Sequence, residues 1–281
     1  VKLIDEGNTI PFIARYRKPV TGELNDEQLR DLDERLKYLR NLEEKKNTVI
    51  ASIEEQGKMT PELLKKIEKA MTIVEVDDIY RPYRPKRKTR ATEAKAKGLE
   101  PLAMIFMAQI SSKTPQEEAQ AFVNKEKGVE TVDDAIQGAK DIIAEQISDV
   151  ADYRTYIRDI TMKEGKLISI AKDEKAESVY ETYYDYNESL STVPGHRILA
   201  INRGEAEKFL TVKIEAPEER ILRYLEKQVL TSENEFTAPV LKATIADAYD
   251  RLIAPAIERE IRSSLTEKAE DGAIKVFGKN L

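Results

Sequence analysis

Apolar residues in this chain recur mostly at helical spacing, and each run is punctuated by a cap or a stop. Asn25 with Gln28 three residues later predicts a capping box, and Leu29, Leu32, Leu36 and Leu39 follow at 3-4-3 spacing. The seam then drifts to Leu42, Val49, Ile50 and Ile53, which predicts a long helix in a local hairpin rather than a sustained coiled coil. Gly57 stops it. Thr60-Pro61 opens the next helix, with Leu63, Leu64, Ile67 and Met71 on one face. Leu99 to Ile110 is almost wholly apolar and predicts a short buried helix. Thr114-Pro115-Gln116-Glu117 caps another. Thr131-Val132-Asp133-Asp134 opens a long one running through Ile136, Ile143, Ile147, Ile157 and Ile160 to Gly165.

Residues 166–216 break the pattern. Lys166–Ala171 and Phe209–Glu215 alternate weakly and predict short strands, with Tyr180, Tyr183, Tyr184 and Tyr186 between them. Those tyrosines read as packing under an irregular connection, with a base-stacking platform as the other reading. Helices resume after Pro217. The last starts near Pro239 and carries Leu241, Ile245, Tyr249, Leu252, Ile257, Ile261 and Leu265, with Pro255 predicted to kink or break it. The expected fold is therefore all-α: a multi-helical elongated array with long helical hairpins and at most a small β element near 166–216. Its expected segments are 1–75, a helical hairpin region; 76–98, a basic strip and connector; 99–165, central helices; 166–216, an irregular segment with short strands; and 217–281, C-terminal helices.

Composition supports a heavily charged helical protein: 281 residues, 41% hydrophobic, 35% charged and a formal net charge of −6. There is no cysteine, so disulfides and thiolate metal sites are excluded. No apolar run approaches the ~20 residues of a membrane span and no signal peptide opens the chain, so the expected location is cytoplasmic. Both ends look cut, as in a fragment of a longer protein.

Charge changes the picture at Arg81–Arg90, RPYRPKRKTR, which holds six basic residues and no acid. Subtracting those six charges from −6 leaves −12 on the remaining 271 residues. The prolines predict an extended segment with splayed side chains. Arg81, Arg84, Lys86, Arg87, Lys88 and Arg90 are candidate phosphate contacts. On duplex DNA, six such contacts imply a log–log salt slope of about −5. The competing reading is a structural strap, with tyrosines buried and arginines paired to acidic helices. Arg15, Arg17 and Lys18 form a second basic candidate group around Tyr16, after a short helix capped by Thr9 or Asn8.

The chemical search finds neither a G-x-x-x-x-G-K-[ST] loop nor a G-x-G-x-x-G motif. The single histidine, His196, reads as a hydrogen-bonder at a turn before a helix. The acidic pairs Asp77-Asp78 and Asp133-Asp134 read as capping at helix starts. No catalytic residue, metal site or cofactor is expected.

Four segments carry a family resemblance. Asp5-Glu6-Gly7-Asn8-Thr9-Ile10-Pro11-Phe12-Ile13-Ala14-Arg15-Tyr16-Arg17-Lys18, with Leu29-Arg30-Asp31 through Glu34-Arg35-Leu36, resembles the opening of the Tex family of bacterial transcription accessory proteins. Tyr80 to Thr92, followed by Ala96-Lys97-Gly98-Leu99-Glu100-Pro101-Leu102, resembles its next signature. Gly195-His196-Arg197-Ile198-Leu199-Ala200-Ile201-Asn202-Arg203-Gly204-Glu205 matches its H-R-x-L-A-x-N-R-G-E pattern. The resemblance implies a helical N-terminal region, followed in the family by a nuclease-like domain, helix-hairpin-helix units and an S1 domain. It implies transcription and nucleic-acid binding, mainly through the S1 domain this chain lacks; RNA polymerase is the partner in the competing, protein-docking reading. For this chain it implies a helical scaffold adding basic surface to a nucleic-acid path, or a protein-interaction module docking on polymerase or on the downstream domains.

Overall fold

A computed structural model describes residues 1–279. The chain is mostly helical, with one small antiparallel sheet, and divides into two compact units at Arg84/Pro85.

The N-terminal unit holds α1 (Lys2–Asp5), α2 (Ile10–Tyr16), α3 (Lys18–Thr21), α4 (Asp26–Glu55), α5 (Pro61–Lys69) and α6 (Ile73–Tyr80). The α4 capping box forms as predicted: the Gln28 amide donates to Asn25 Oδ1 at 2.8 Å, and the Asn25 amide to Gln28 Oε1 at 3.0 Å. Gly57, at φ 66°, supplies the left-handed turn that ends the helix. The leucine heptad is not the buried seam. Leu32 and Leu39 are exposed, and the buried face of α4 is Leu29, Leu42, Lys46, Val49 and Ile53. That face is set by the neighbours α2, α5 and α6. Lys46 is tolerated there because its ammonium donates to the Glu68 carbonyl at 2.7 Å. Thr60 caps α5 as expected, but Met71 lies beyond that helix and is exposed.

The second unit is built on α10 (Val132–Ser148). Around it pack α7 (Arg90–Ala96), α8 (Glu100–Ala108), α9 (Pro115–Gln120) and α14 (Ala238–Asp247). Its buried face is Ala135, Gly138, Ala139, Ile142, Ile143, Ala144 and Ile147. Gly138 permits the closest approach, since a Cβ there would stand 2.3 Å from Leu99 Cδ1. The single long helix expected over 132–164 is two. Asp149 closes α10, Val150 turns extended, and α11 (Ala151–Glu164) begins afresh. The predicted apolar helix after Leu99 is α8, although Met104 and Ile110 are exposed.

The strands expected at 166–171 and near 209–215 form β1 (Lys166–Ala171) and β3 (Leu210–Glu215). A third, β2 (Asp185–Ser189), was not foreseen, and the sheet order is β2–β1–β3 with both pairings antiparallel. The sequence of β2, Asp-Tyr-Asn-Glu-Ser, has weak strand propensity; pairing with β1 holds it. The tyrosine group packs rather than forming a platform. Tyr180 is buried against Phe209, Tyr183 meets Tyr186 edge-on at 5.3 Å, and the Tyr184 hydroxyl donates to the Ala176 carbonyl at 2.6 Å.

Helices α12 (Gly195–Ala206) and α13 (Glu218–Val229) flank β3 in the chain, and α15 (Ala254–Lys279) runs to the end of the described residues. Pro255 does not break the last helical run. A π-helical turn over Ala248–Ile253 joins α14 to α15, widening the backbone just before the residue whose missing amide interrupts the α pattern.

Candidate nucleic-acid interface

Arg81–Arg90 is not a uniformly extended strip. Arg81-Pro82-Tyr83 continues α6 as a 3₁₀ turn, because proline is tolerated at the start of a helical turn. Arg84, preceding Pro85, takes the extended conformation that a following proline imposes. Thr89 then caps α7 with a reciprocal Thr92 bond, making Arg90 the first helical residue.

At least half of the strip's six cations are ion-paired within the fold. Arg84 pairs with Asp77 at 2.9 Å and lies 5.6 Å over the Tyr80 ring. Lys86 bridges Glu145, at 3.1 Å, and Asp149 on α10. Lys88 pairs with Glu93 at 2.9 Å, and that hydrogen bond holds the Glu93 carboxyl below its usual range. Arg81 is half-buried. Arg87 and Arg90 are exposed and make no ion pair among the described residues. The Tyr80 hydroxyl is 2.8 Å from Ser52 Oγ, and the Tyr83 backbone carbonyl accepts from Gln56 at 2.9 Å. Asp77-Asp78 stands in the last turn of α6, not at a helix start, and Asp77 is balanced by Lys45 and Arg84. Asp133-Asp134 does open α10.

The quieter cluster has the opposite character. Arg15 and Tyr16 end α2, Arg17 links it to α3, and Lys18 begins α3. Thr9 occupies the N-cap without a side-chain bond, while Asn8 donates instead to the Leu3 carbonyl. Arg15, Arg17 and Lys18 are all exposed, and no carboxylate pairs with them among the described residues. Beside them Phe12 and Tyr16 are 37% and 59% exposed, with ring centroids 5.2 Å apart. The Arg17 guanidinium lies 5.3 Å over the Phe12 ring. Unneutralised cations beside exposed rings suit a phosphodiester backbone with stackable bases. In sequence both basic groups could face one partner or pair with the acidic helices of their own fold.

The Gly195–Glu205 signature is absorbed by packing. Arg197 donates to Glu188 at 2.8 Å, and the Tyr186 hydroxyl donates to the same carboxylate. Asn202 donates to Thr266 at 2.9 Å, while Arg262 reaches Glu205 at 2.6 Å and Asn202 at 3.1 Å, tying α12 to α15. Gly204 lies where a Cβ would stand 2.6 Å from Leu210 Cδ1. His196 is not the expected hydrogen-bonder: it is exposed on the first turn of α12 and its ring makes no hydrogen bond among the described residues. Among those residues no group of three or more His, Asp and Glu is placed to hold a metal ion, and no helix is long and apolar enough to cross a membrane.

Comparison with known proteins matches residues 111–277 to the family described as Tex central region-like, and residues 1–54 to the Tex-like protein N-terminal domain. The whole chain aligns with protein YdcI of Bacillus subtilis at 47% identity, covering 40% of that protein. It aligns over its whole length with the transcriptional accessory protein Tex of Neisseria gonorrhoeae at 35%, covering 38%, and with the human S1 RNA-binding domain-containing protein 1 at 31%, covering 29%. The chain thus spans 40% or less of the length of these relatives. With the helical fold, the ordered signatures and these matches in agreement, the chain belongs to the Tex family.

Proposed function

We propose that this chain is a helical scaffold of a transcription accessory protein and contributes nucleic-acid contacts through Arg15, Arg17 and Lys18, with Phe12 and Tyr16 as stacking partners. The supporting observation is the contrast between the two basic groups. The cations Arg15, Arg17 and Lys18 are exposed and have no carboxylate partner among the described residues, whereas Arg84, Lys86 and Lys88 are already paired. A paired cation has to give up its carboxylate before it releases a counterion from nucleic acid, so it contributes less to affinity. Arg87 and Arg90 are the strip's remaining contributors, which lowers its expected share on duplex DNA to a slope of about −2.

The test is a titration of the chain with a single-stranded DNA oligonucleotide at several salt concentrations. Reversing charge with Arg15→Glu, Arg17→Glu and Lys18→Glu together is expected to weaken binding and reduce the log–log salt slope by about 2. The triple change Arg84→Gln, Lys86→Gln, Lys88→Gln is expected to alter it much less. An unchanged slope in the first variant rejects the proposal. Retention of RNA polymerase without nucleic acid in a pulldown then favours a protein-docking role.

A further inference from the structure

One cavity in the second unit has a charge opposite to a nucleic-acid site. It has a volume of about 290 Å³ and lies between the C-terminal turn of α11, the end of β3 and the π turn leading into α15. Glu215, Glu218, Asp250 and Glu258 line it, and Lys213 is the one cation among the lining residues. None of these four carboxylates makes an ion pair among the described residues. Glu258 alone is held, accepting from the Ile214 amide at 3.0 Å.

The floor supplies an independent observation. Thr161 and Tyr249 both line the cavity and are only 2% and 4% exposed. Thr161 Oγ1 is buried with no hydrogen-bond partner, and the Tyr249 hydroxyl has none among the described residues. A buried hydroxyl is normally satisfied, so Thr161 Oγ1 marks a place in this cavity where a hydrogen-bond partner is missing. Ile157 and Ile257 complete the floor with apolar surface.

We propose that this cleft binds a small organic cation, a primary ammonium or guanidinium group that passes the carboxylate rim and donates to the hydroxyls of Tyr249 and Thr161. The volume, at the lower limit of small-molecule sites, admits one amine-bearing chain rather than a nucleotide. The rim repels phosphate. Burial, and then the fields of Glu218, Asp250 and Glu258, push the Tyr249 phenol up to about 12, which keeps it neutral and able to accept. The same cationic chemistry is found in a free diamine or guanidine and in a lysine or arginine side chain of a polypeptide.

The two sources are separated by titrating the full chain, followed by NMR, with agmatine in one arm and with N-acetyl-lysine and N-acetyl-arginine methylamides in the other. Saturable shifts at Thr161, Ile214 and Ile257 are expected. Saturation only by agmatine assigns a free ligand; saturation by a capped residue assigns a polypeptide side chain. Glu218 and Asp250 are exposed, so Glu218→Gln with Asp250→Asn keeps the fold and is expected to weaken binding about tenfold. Tyr249→Phe is expected to weaken it further. The neutral N-acetyl-citrulline methylamide is expected not to bind. No saturable shift with any cation, equal binding of the citrulline compound, or undiminished affinity in the carboxamide variant overturns the proposal.

Discussion

Arg154 shows how little a single residue type reveals about its role. Its side chain is fully buried on α11 and meets Glu260 of α15 at 2.8 Å. Arg158, one turn later, donates to the other carboxylate oxygen at 2.8 and 3.1 Å. Glu260 therefore holds two guanidinium groups. Removing it with Glu260→Ala takes a carboxylate partner from a buried guanidinium, and the expected loss is about 3 kcal/mol of unfolding free energy. That is the lower end for broken buried pairs, since Glu260 itself is a third exposed. Urea unfolding measures it, and a loss under about 1 kcal/mol would contradict this account. The same blindness explains the two basic clusters. In sequence, Arg84 and Arg15 are equivalent charges beside a tyrosine. Only the fold supplies Asp77 to one and gives the other no carboxylate among the described residues. Charge density along a chain therefore locates cations but not their partners, which lie on helices as distant as Lys86 from Asp149.

Elements were more legible where their ends are chemically marked. The boxes at Asn25, Thr114 and Thr131 formed because a cap and its reciprocal acceptor are three residues apart, a purely local fact. The junction at Asp149-Val150 carries no glycine or proline, and β2 carries no apolar alternation, so neither had a local signal. The leucine heptad misled for the converse reason: periodicity reports that a face is apolar, while burial depends on what packs against it. Caps also give an acid-sensitive prediction. The Thr131 hydroxyl, and then its amide, hold the Asp134 carboxyl below its usual range. A folded-state pKa below the unfolded one adds stability above the unfolded value, lost as pH falls through the folded value. The stability gap between the native chain and Asp134→Asn is therefore expected to shrink as pH falls below about 5, through the unfolded aspartate value of about 4 and on through the lower folded value. Chemical denaturation at several pH values reads it directly, and a gap independent of pH would show that the cap carboxylate is not responsible.

At the scale of the whole chain, the strip that dominates the charge pattern is also where the two units divide. The sequence marked it as a connector through its prolines, and the fold gives each side its own apolar core. Ile13, Leu29, Leu42, Val49, Ile53, Ile67 and Val76 are buried in the first unit. In the second, one continuous cluster runs from Ala91 through Phe106, Ile143, Leu225 and Ile257 to Ala269. A core of that extent, well beyond the ~70–80 residues below which a single core becomes marginal, is expected to fold unaided. Lys86 belongs to this unit together with its partners Glu145 and Asp149, so a chain beginning at Pro85 keeps these ion pairs. Tyr156 and Tyr224, stacked at 3.7 Å within the same unit, report on its tertiary packing. A chain starting at Pro85 is therefore expected to keep a near-ultraviolet circular-dichroism signal from these tyrosines and to melt cooperatively. Loss of that signal with helicity retained, the mark of a molten state, would mean that the second core depends on the first.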